Sequence, residues 1–193
     1  MNLPNGLSLT RIVLAPFFFI FFFLERIIQG SGIYAVLGVW ALFIIIEVSD
    51  LLDGYFARKF NLVSDIGKIL DPFADSLSRL TYFLCFAGAG IMPLWVFLIL
   101  LYRDLGVAFI RQNASRYGIV FASRLSGKLK AWVYAFSGFA GIFVFSSKKL
   151  LLLQRYSGSI EKYSLIVFYL SALIAIWSLI DYAHSLLKIK NNN

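Results

Sequence analysis

The sequence predicts an all-α integral membrane protein with six transmembrane helices, and three observations lead there. First, 60% of the 193 residues are hydrophobic and 18% aromatic, only 15% are charged, and the mean hydropathy is +0.81. A soluble domain carries roughly a quarter of its residues as charges, so this chain cannot cover its apolar surface in water. Second, the charges gather in short segments between long apolar runs, the pattern of spans joined by wet loops. Third, one of those runs carries an internal break that divides it into two helices.

The uncharged apolar runs are Ile12 to Leu24, Gly32 to Ile46, Leu80 to Tyr102, Ala131 to Ser147 and Tyr163 to Ile180. The first lacks a strongly basic start and a small-residue cleavage site before Glu25, so it reads as a retained span rather than a signal peptide. The third contains Gly88-Ala-Gly-Ile-Met-Pro93, two glycines and a proline suited to the first turn of a new helix. Splitting it there predicts an antiparallel hairpin of helices, from about Gly67 to Ala87 and from Pro93 to about Asn113. At 1.5 Å rise per residue, about 20 residues cross a hydrocarbon core of about 30 Å. No internal repeat or linker interrupts the chain, which reads as one domain over residues 1–193.

Six spans place both termini on one side. Arg11, the segment around Arg58, Lys59 and Lys68, the segment Arg103 to Lys130, and Lys188 with Lys190 then share one face, which the positive-inside rule makes cytoplasmic. Lys148, Lys149, Arg155 and Lys162 fall on the other side as an exception. The net charge of +8 does not point to nucleic acid, because much of the basic charge sits in short loops flanking apolar spans. The one cysteine, Cys85, excludes an internal disulfide and a cysteine metal cluster.

The chemistry concentrates in Ser49-Asp-Leu-Leu-Asp-Gly-Tyr-Phe-Ala-Arg58 and Gly67-Lys-Ile-Leu-Asp-Pro-Phe-Ala-Asp75. Asp50 and Asp53 are spaced i, i+3 near the end of the second span; Asp71 and Asp75 are spaced i, i+4 at the start of the third. Each pair therefore lies on one helical face. Four carboxylates converging at membrane depth repel one another and cost several kcal/mol each to desolvate unless cations neutralise them. Oxygen-only donors select Mg²⁺, Mn²⁺ or Ca²⁺, and two ions about 4 Å apart suit a displacement at phosphorus. Gly54 and Gly67 leave the backbone open to close approach, and Arg58 offers a fork to a phosphate. Any one of these residues could be an ordinary solvated helix end, with Asp75 paired to Arg79 at i, i+4. An ion pathway through a transporter is the rival from another class, but these aspartates cluster at one mouth rather than at mid-membrane.

The full pattern D-x2-D-G-x2-A-R-x8-G-x3-D-x3-D resembles the signature of the CDP-alcohol phosphatidyltransferase family at Asp50, Asp53, Gly54, Ala57, Arg58, Gly67, Asp71 and Asp75. The resemblance implies a six-span fold, often homodimeric, that moves a phosphatidyl or related group from a CDP-linked donor to an alcohol and releases CMP. It implies Asp50, Asp53 and Asp71 as main ligands of Mg²⁺ or Mn²⁺, with Asp75 completing the metal site and acting as base. Gly54, Ala57, Arg58 and Gly67, with Asp53 and Asp71, would line the cytidine diphosphate. From Leu3-Pro-Asn-Gly-Leu-Ser-Leu-Thr-Arg11 through Ser126-Gly-Lys-Leu-Lys130, the chain is most similar to the branch that uses CDP-diacylglycerol and sn-glycerol 3-phosphate. It departs from that branch at Ser8, Ser76 and Asp104, where Thr, Lys and Glu are common.

The segment from Arg103 to Lys130 supplies six cations against one acid. Arg103, Arg111 and Lys128 are candidates for the phosphate of a small phosphorylated alcohol; inositol phosphate would use the same cations, and inositol, serine or choline are alternative acceptors. Arg116 and Lys130 read as contacts to anionic lipid headgroups. His184 reads as an interfacial helix residue, and the phenylalanine run Phe17 to Phe23 as lipid-facing or core material.

Overall fold

A computed structural model of the protein describes residues 3–59, 65–116 and 125–191. In chain order the helices are α1 (Leu3–Phe22), α2 (Leu24–Ile27), α3 (Gly32–Lys59), α4 (Asp65–Gly88), α5 (Leu94–Arg116), α6 (Leu125–Lys149), α7 (Leu151–Gln154) and α8 (Ser157–Asn191). No strand occurs among the described residues. The helices α2 and α7 have four residues each, whereas the other six run from 20 to 35.

Four of the long helices are long and apolar enough to cross a membrane, through Asn5–Phe22, Gly32–Asp53, Leu125–Lys149 and Ser157–Leu187. The helices α4 and α5 have 24 and 23 residues but carry more charge, including Asp71, Asp75 and Arg79 on one and Arg103, Asp104 and Arg111 on the other. Arg79, Arg103 and Asp104 are buried. These three buried charges pair with neighbouring helices: Arg79 with α3, Arg103 with α8 and Asp104 with α6.

The hairpin expected at Gly88 to Pro93 is where α4 meets α5. Gly90 has φ of 68°, the left-handed region a glycine enters without a Cβ penalty. The Gly90 N–H donates to the Ala87 carbonyl at 3.1 Å and the Ile91 N–H to the Phe86 carbonyl at 2.9 Å, which satisfies carbonyls at the end of α4. The Pro93 carbonyl then accepts from Val96 N–H at 3.0 Å as α5 begins.

In the packing, α1 lies on α3 and α4, α8 lies on α5 and α6, and α4 also touches α5 and α6. Aromatic rings fill the centre: Phe22 stacks on Phe145 with centroids 4.3 Å apart, and Tyr82 meets Phe83 and Phe43 edge-on at 4.6 and 5.6 Å. The phenylalanine run serves both expected roles, since Phe18 and Phe22 are buried while Phe17 and Phe19 are exposed. Residues such as Leu37, Ile44, Phe136 and Leu173 face outward, an apolar surface suited to a hydrocarbon solvent. Lipid gives little hydrophobic drive between helices, so close approach has to hold them together. A Cβ on Gly138 would lie 2.7 Å from a Phe43 ring atom, and one on Gly141 2.3 Å from Phe86.

Two of the exceptional basic residues at the far end are neutralised, Lys148 by Glu161 at 3.2 Å and Lys149 by Glu25. His184 is exposed near the end of α8.

Replacing Gly141 by Val should cost about 1–3 kcal/mol through overpacking against Phe86. Thermal unfolding of the purified protein in detergent measures this; an unchanged melting temperature would show that the ring moves aside freely.

Candidate active site

Alternating helix directions bring the start of α1, the end of α3 and the start of α4 to the same end of the bundle. There the oxygens of Asp50, Asp53 and Asp71 lie within 4.8 Å of one another. The cluster opens in one direction: Asp53 is 4% exposed, while the side chains of Asp50 and Asp71 are 27% and 48% exposed. Asp75 stands one turn along α4, outside this triplet, with its carboxylate towards Arg79 and Lys130. Gly54, Ala57 and Arg58 lie on the last turns of α3, just beyond Asp53, and Gly67 on the first turn of α4. The side chains of Ala57 and Arg58, like residues 60–64, lie outside the described set.

Arg11 is the largest departure from the sequence reading, which counted it only as one basic residue on the cytoplasmic face. Its side chain is 0% exposed and points from α1 into the aspartates. Nη1 donates to Asp50 Oδ1 at 2.6 Å, and Nη2 donates to both Asp53 Oδ2 and Asp71 Oδ1. Ser8, three residues earlier and so on the same helical face, donates to Asp53 Oδ2 at 3.4 Å. A signal was present in the sequence, because Arg11 opens an apolar run where an unpaired charge would be costly.

Arg79 forms a second layer deeper in the bundle. Nη2 donates to Asp50 Oδ2 at 2.9 Å, Nε lies 2.6 Å from Asp75 Oδ1, and Nη1 donates to the Ala131 carbonyl at 3.2 Å. The i, i+4 pairing of Asp75 with Arg79 foreseen from spacing is therefore present. Glu47, which sequence reasoning passed over, lies three residues before Asp50 with Oε2 3.7 Å from Arg79. Its Oε1 accepts from the Tyr82 hydroxyl at 3.4 Å. The spacing Glu47, Asp50, Asp53 marks one face of α3 and was the available signal.

The basic segment divides into two sets. Arg103 is buried, with Nη1 on Asp104 Oδ1 at 2.9 Å and Nη2 on Ser178 Oγ at 2.7 Å. Arg111 is exposed and donates to the Tyr182 hydroxyl at 2.6 Å. Lys128 is exposed on α6, whereas Lys130, two residues on and so on the opposite face, is buried. The expectation that Lys130 reaches lipid headgroups is corrected. Its Nζ lies 3.1 Å from Asp104 and 4.0 Å from Asp75, over the Tyr134 ring, because an ion pair offsets burial that a lone ammonium could not meet. The side chain of Arg116 lies outside the described set.

The residues fit a hard divalent cation. Three carboxylates from two helices converge, no softer ligand stands among them, and Arg79 fixes Asp50 through Oδ2, as outer partners of ligating carboxylates do.

The sequence profile of the CDP-alcohol phosphatidyltransferase family matches residues 1–179. Among similar proteins, one from Bacillus subtilis named CDP-diacylglycerol--glycerol-3-phosphate 3-phosphatidyltransferase is 36% identical over 137 residues, 68% of this chain and 71% of that protein. Proteins of the same name from Treponema pallidum and Haemophilus influenzae are 34% and 30% identical, over 69% and 94% of this chain and 65% and 91% of their own lengths. The chain thus spans just under two thirds of the Treponema protein. With its acidic signature gathered at one end of a membrane bundle, the chain belongs to the CDP-alcohol phosphatidyltransferase family.

Proposed function

We propose that this protein transfers the phosphatidyl group of CDP-diacylglycerol to sn-glycerol 3-phosphate and releases CMP. The observation that carries the reading is the convergence of Asp50, Asp53 and Asp71, with Asp75 one turn away, in a chain similar to proteins named for that reaction. All six long helices cross the cytoplasmic membrane, with the site on the cytoplasmic face where the basic residues concentrate. Homodimerisation rests on the family resemblance alone.

Asp50, Asp53 and Asp71, with Asp75 completing the set, would hold Mg²⁺ or Mn²⁺, as two ions, and metal bound there would neutralise charge on the phosphoryl oxygens. Gly54, Ala57, Arg58 and Gly67, with Asp53 and Asp71, line the cytidine diphosphate, and the glycines let the backbone approach it. Arg111 and Lys128, both exposed, hold the acceptor's phosphate by charge-assisted hydrogen bonds, and Arg103 joins them by exchanging its contacts to Asp104 and Ser178. Asp75 takes the proton of the acceptor hydroxyl. The hydroxyl oxygen bonds to the phosphatidyl phosphorus as the pyrophosphate P–O bond breaks, and CMP leaves in line with that electron pair. Arg79 holds Asp50 and Asp75 at a fixed separation, so base and ligand keep their relative positions during the transfer.

Single replacements of Asp50, Asp53, Asp71 or Asp75 by Asn should lower turnover at least about a hundredfold, a barrier increase of about 2.7 kcal/mol, while the protein stays folded by size-exclusion. Near-normal turnover of Asp71→Asn would contradict the metal-site reading.

Activity should vanish with chelator and return with Mg²⁺ or Mn²⁺ but poorly with Zn²⁺, because the donors are all oxygen. Full activity after exhaustive metal removal counts against this.

Given CDP-diacylglycerol and a panel of radiolabelled alcohols, the protein should label from glycerol 3-phosphate, and Arg111→Ala should raise the acceptor KM while leaving the CDP-lipid KM nearly unchanged. Incorporation of inositol phosphate, inositol, serine or choline instead would reassign the acceptor and leave the family standing.

A further inference from the structure

We propose that Arg11 is the resident counter-cation of the aspartate cluster, that it competes with divalent metal for Asp50, Asp53 and Asp71, and that it thereby sets how tightly the substrate-free protein holds metal. The inference rests on the metal-site reading above and adds a residue outside the aspartate signature.

The two arginines at the site touch different atoms. Arg79 takes Asp50 Oδ2 and Asp75 Oδ1, and of the triplet it touches only Asp50. Arg11 takes Asp50 Oδ1, Asp53 Oδ2 and Asp71 Oδ1, one oxygen from each carboxylate of the triplet. A planar guanidinium spanning three carboxylates at complete burial neutralises much of their mutual repulsion without any metal. The Arg11 Nε–H, in contrast, is buried with no acceptor among the described residues. The group is held by its two terminal nitrogens, both committed to the candidate ligands.

Two consequences of opposite sign follow. Without metal, Arg11 holds α1 to α3 and α4 through charge pairs, so removing it leaves three aspartates facing one another at depth. With metal, the cation must displace or share contacts that the guanidinium already makes, so removing Arg11 strengthens metal binding by ending the competition and adding net negative charge.

The test titrates Mn²⁺ alone, by calorimetry, into chelator-treated full-length protein without nucleotide or lipid substrate, and records melting temperatures in chelator and in saturating Mn²⁺. Arg11→Gln should bind Mn²⁺ at least about tenfold more tightly than the unsubstituted protein, within the range that changes around ligating groups produce. Its melting temperature in chelator should fall by several degrees, and Mn²⁺ should restore much of the loss. Arg11→Lys, which keeps the charge but lacks the fork, should fall between, and it carries the test if the Gln variant does not fold in chelator. Unchanged or weaker Mn²⁺ binding by folded Arg11→Gln, or no binding by either protein, overturns the proposal. Release of CMP is assayed separately: its absence in the unsubstituted protein would overturn the transferase reading while leaving the Mn²⁺ comparison interpretable.

Discussion

Like charges brought together in a medium of low dielectric repel strongly, and each loses its hydration as well. Glu47, Asp50, Asp53, Asp71 and Asp75 occupy one end of this bundle, on the two neighbouring helices α3 and α4. Such a group holds its place only when cations are interleaved with it. Arg11 comes from α1, Arg79 from α4 and Lys130 from α6, so the helices surrounding the acids supply the charges that make them tolerable. Asp50 shows the arrangement most clearly, since Arg11 holds one of its oxygens and Arg79 the other.

That constraint explains the unequal character of the helices. The elements α1, α3, α6 and α8 retain long apolar stretches, while α4 and α5 carry more charge, with Arg79, Arg103 and Asp104 buried against other helices. Close contacts at Gly138 and Gly141 draw α6 against the aromatic layer of α3 and α4, and the same approach brings Lys130 and the Ala131 carbonyl to Asp75 and Arg79. Packing in the middle of the bundle and charge pairing at its end are parts of one arrangement: α6 cannot be moved without unpairing the floor of the site.

Asp75 also lies where two polar networks meet. On one side Arg79 ties it to Asp50 and the candidate metal ligands; on the other Lys130 ties it to Asp104, Arg103 and, through Ser178, to α8.

The sequence by itself determined the membrane class, the hairpin at Gly88 to Pro93, the pairing of aspartates on two helical faces and the family, because each depends on composition or on spacings within one or two turns. It also carried the Asp75 to Arg79 pair, which is local. What only the tertiary structure decided were the partners between distant segments. Arg11 is 39 residues from Asp50 and 60 from Asp71, and although its place at the head of an apolar run asks for a partner, nothing in its own neighbourhood says which acids provide it. Lys130 and Lys128 look alike in sequence, yet a rotation of about 200° around α6 buries one beside Asp75 and Asp104 and leaves the other exposed. Glu47 ends the apolar run Gly32 to Ile46, and its spacing to Asp50 and Asp53 gives its face but not the Arg79 and Tyr82 that meet it. Periodicity specifies which face a side chain occupies; the identity of the charge opposite that face is fixed only when the helices pack, because the free energy of a buried ion depends on its partner rather than on its own position in the chain.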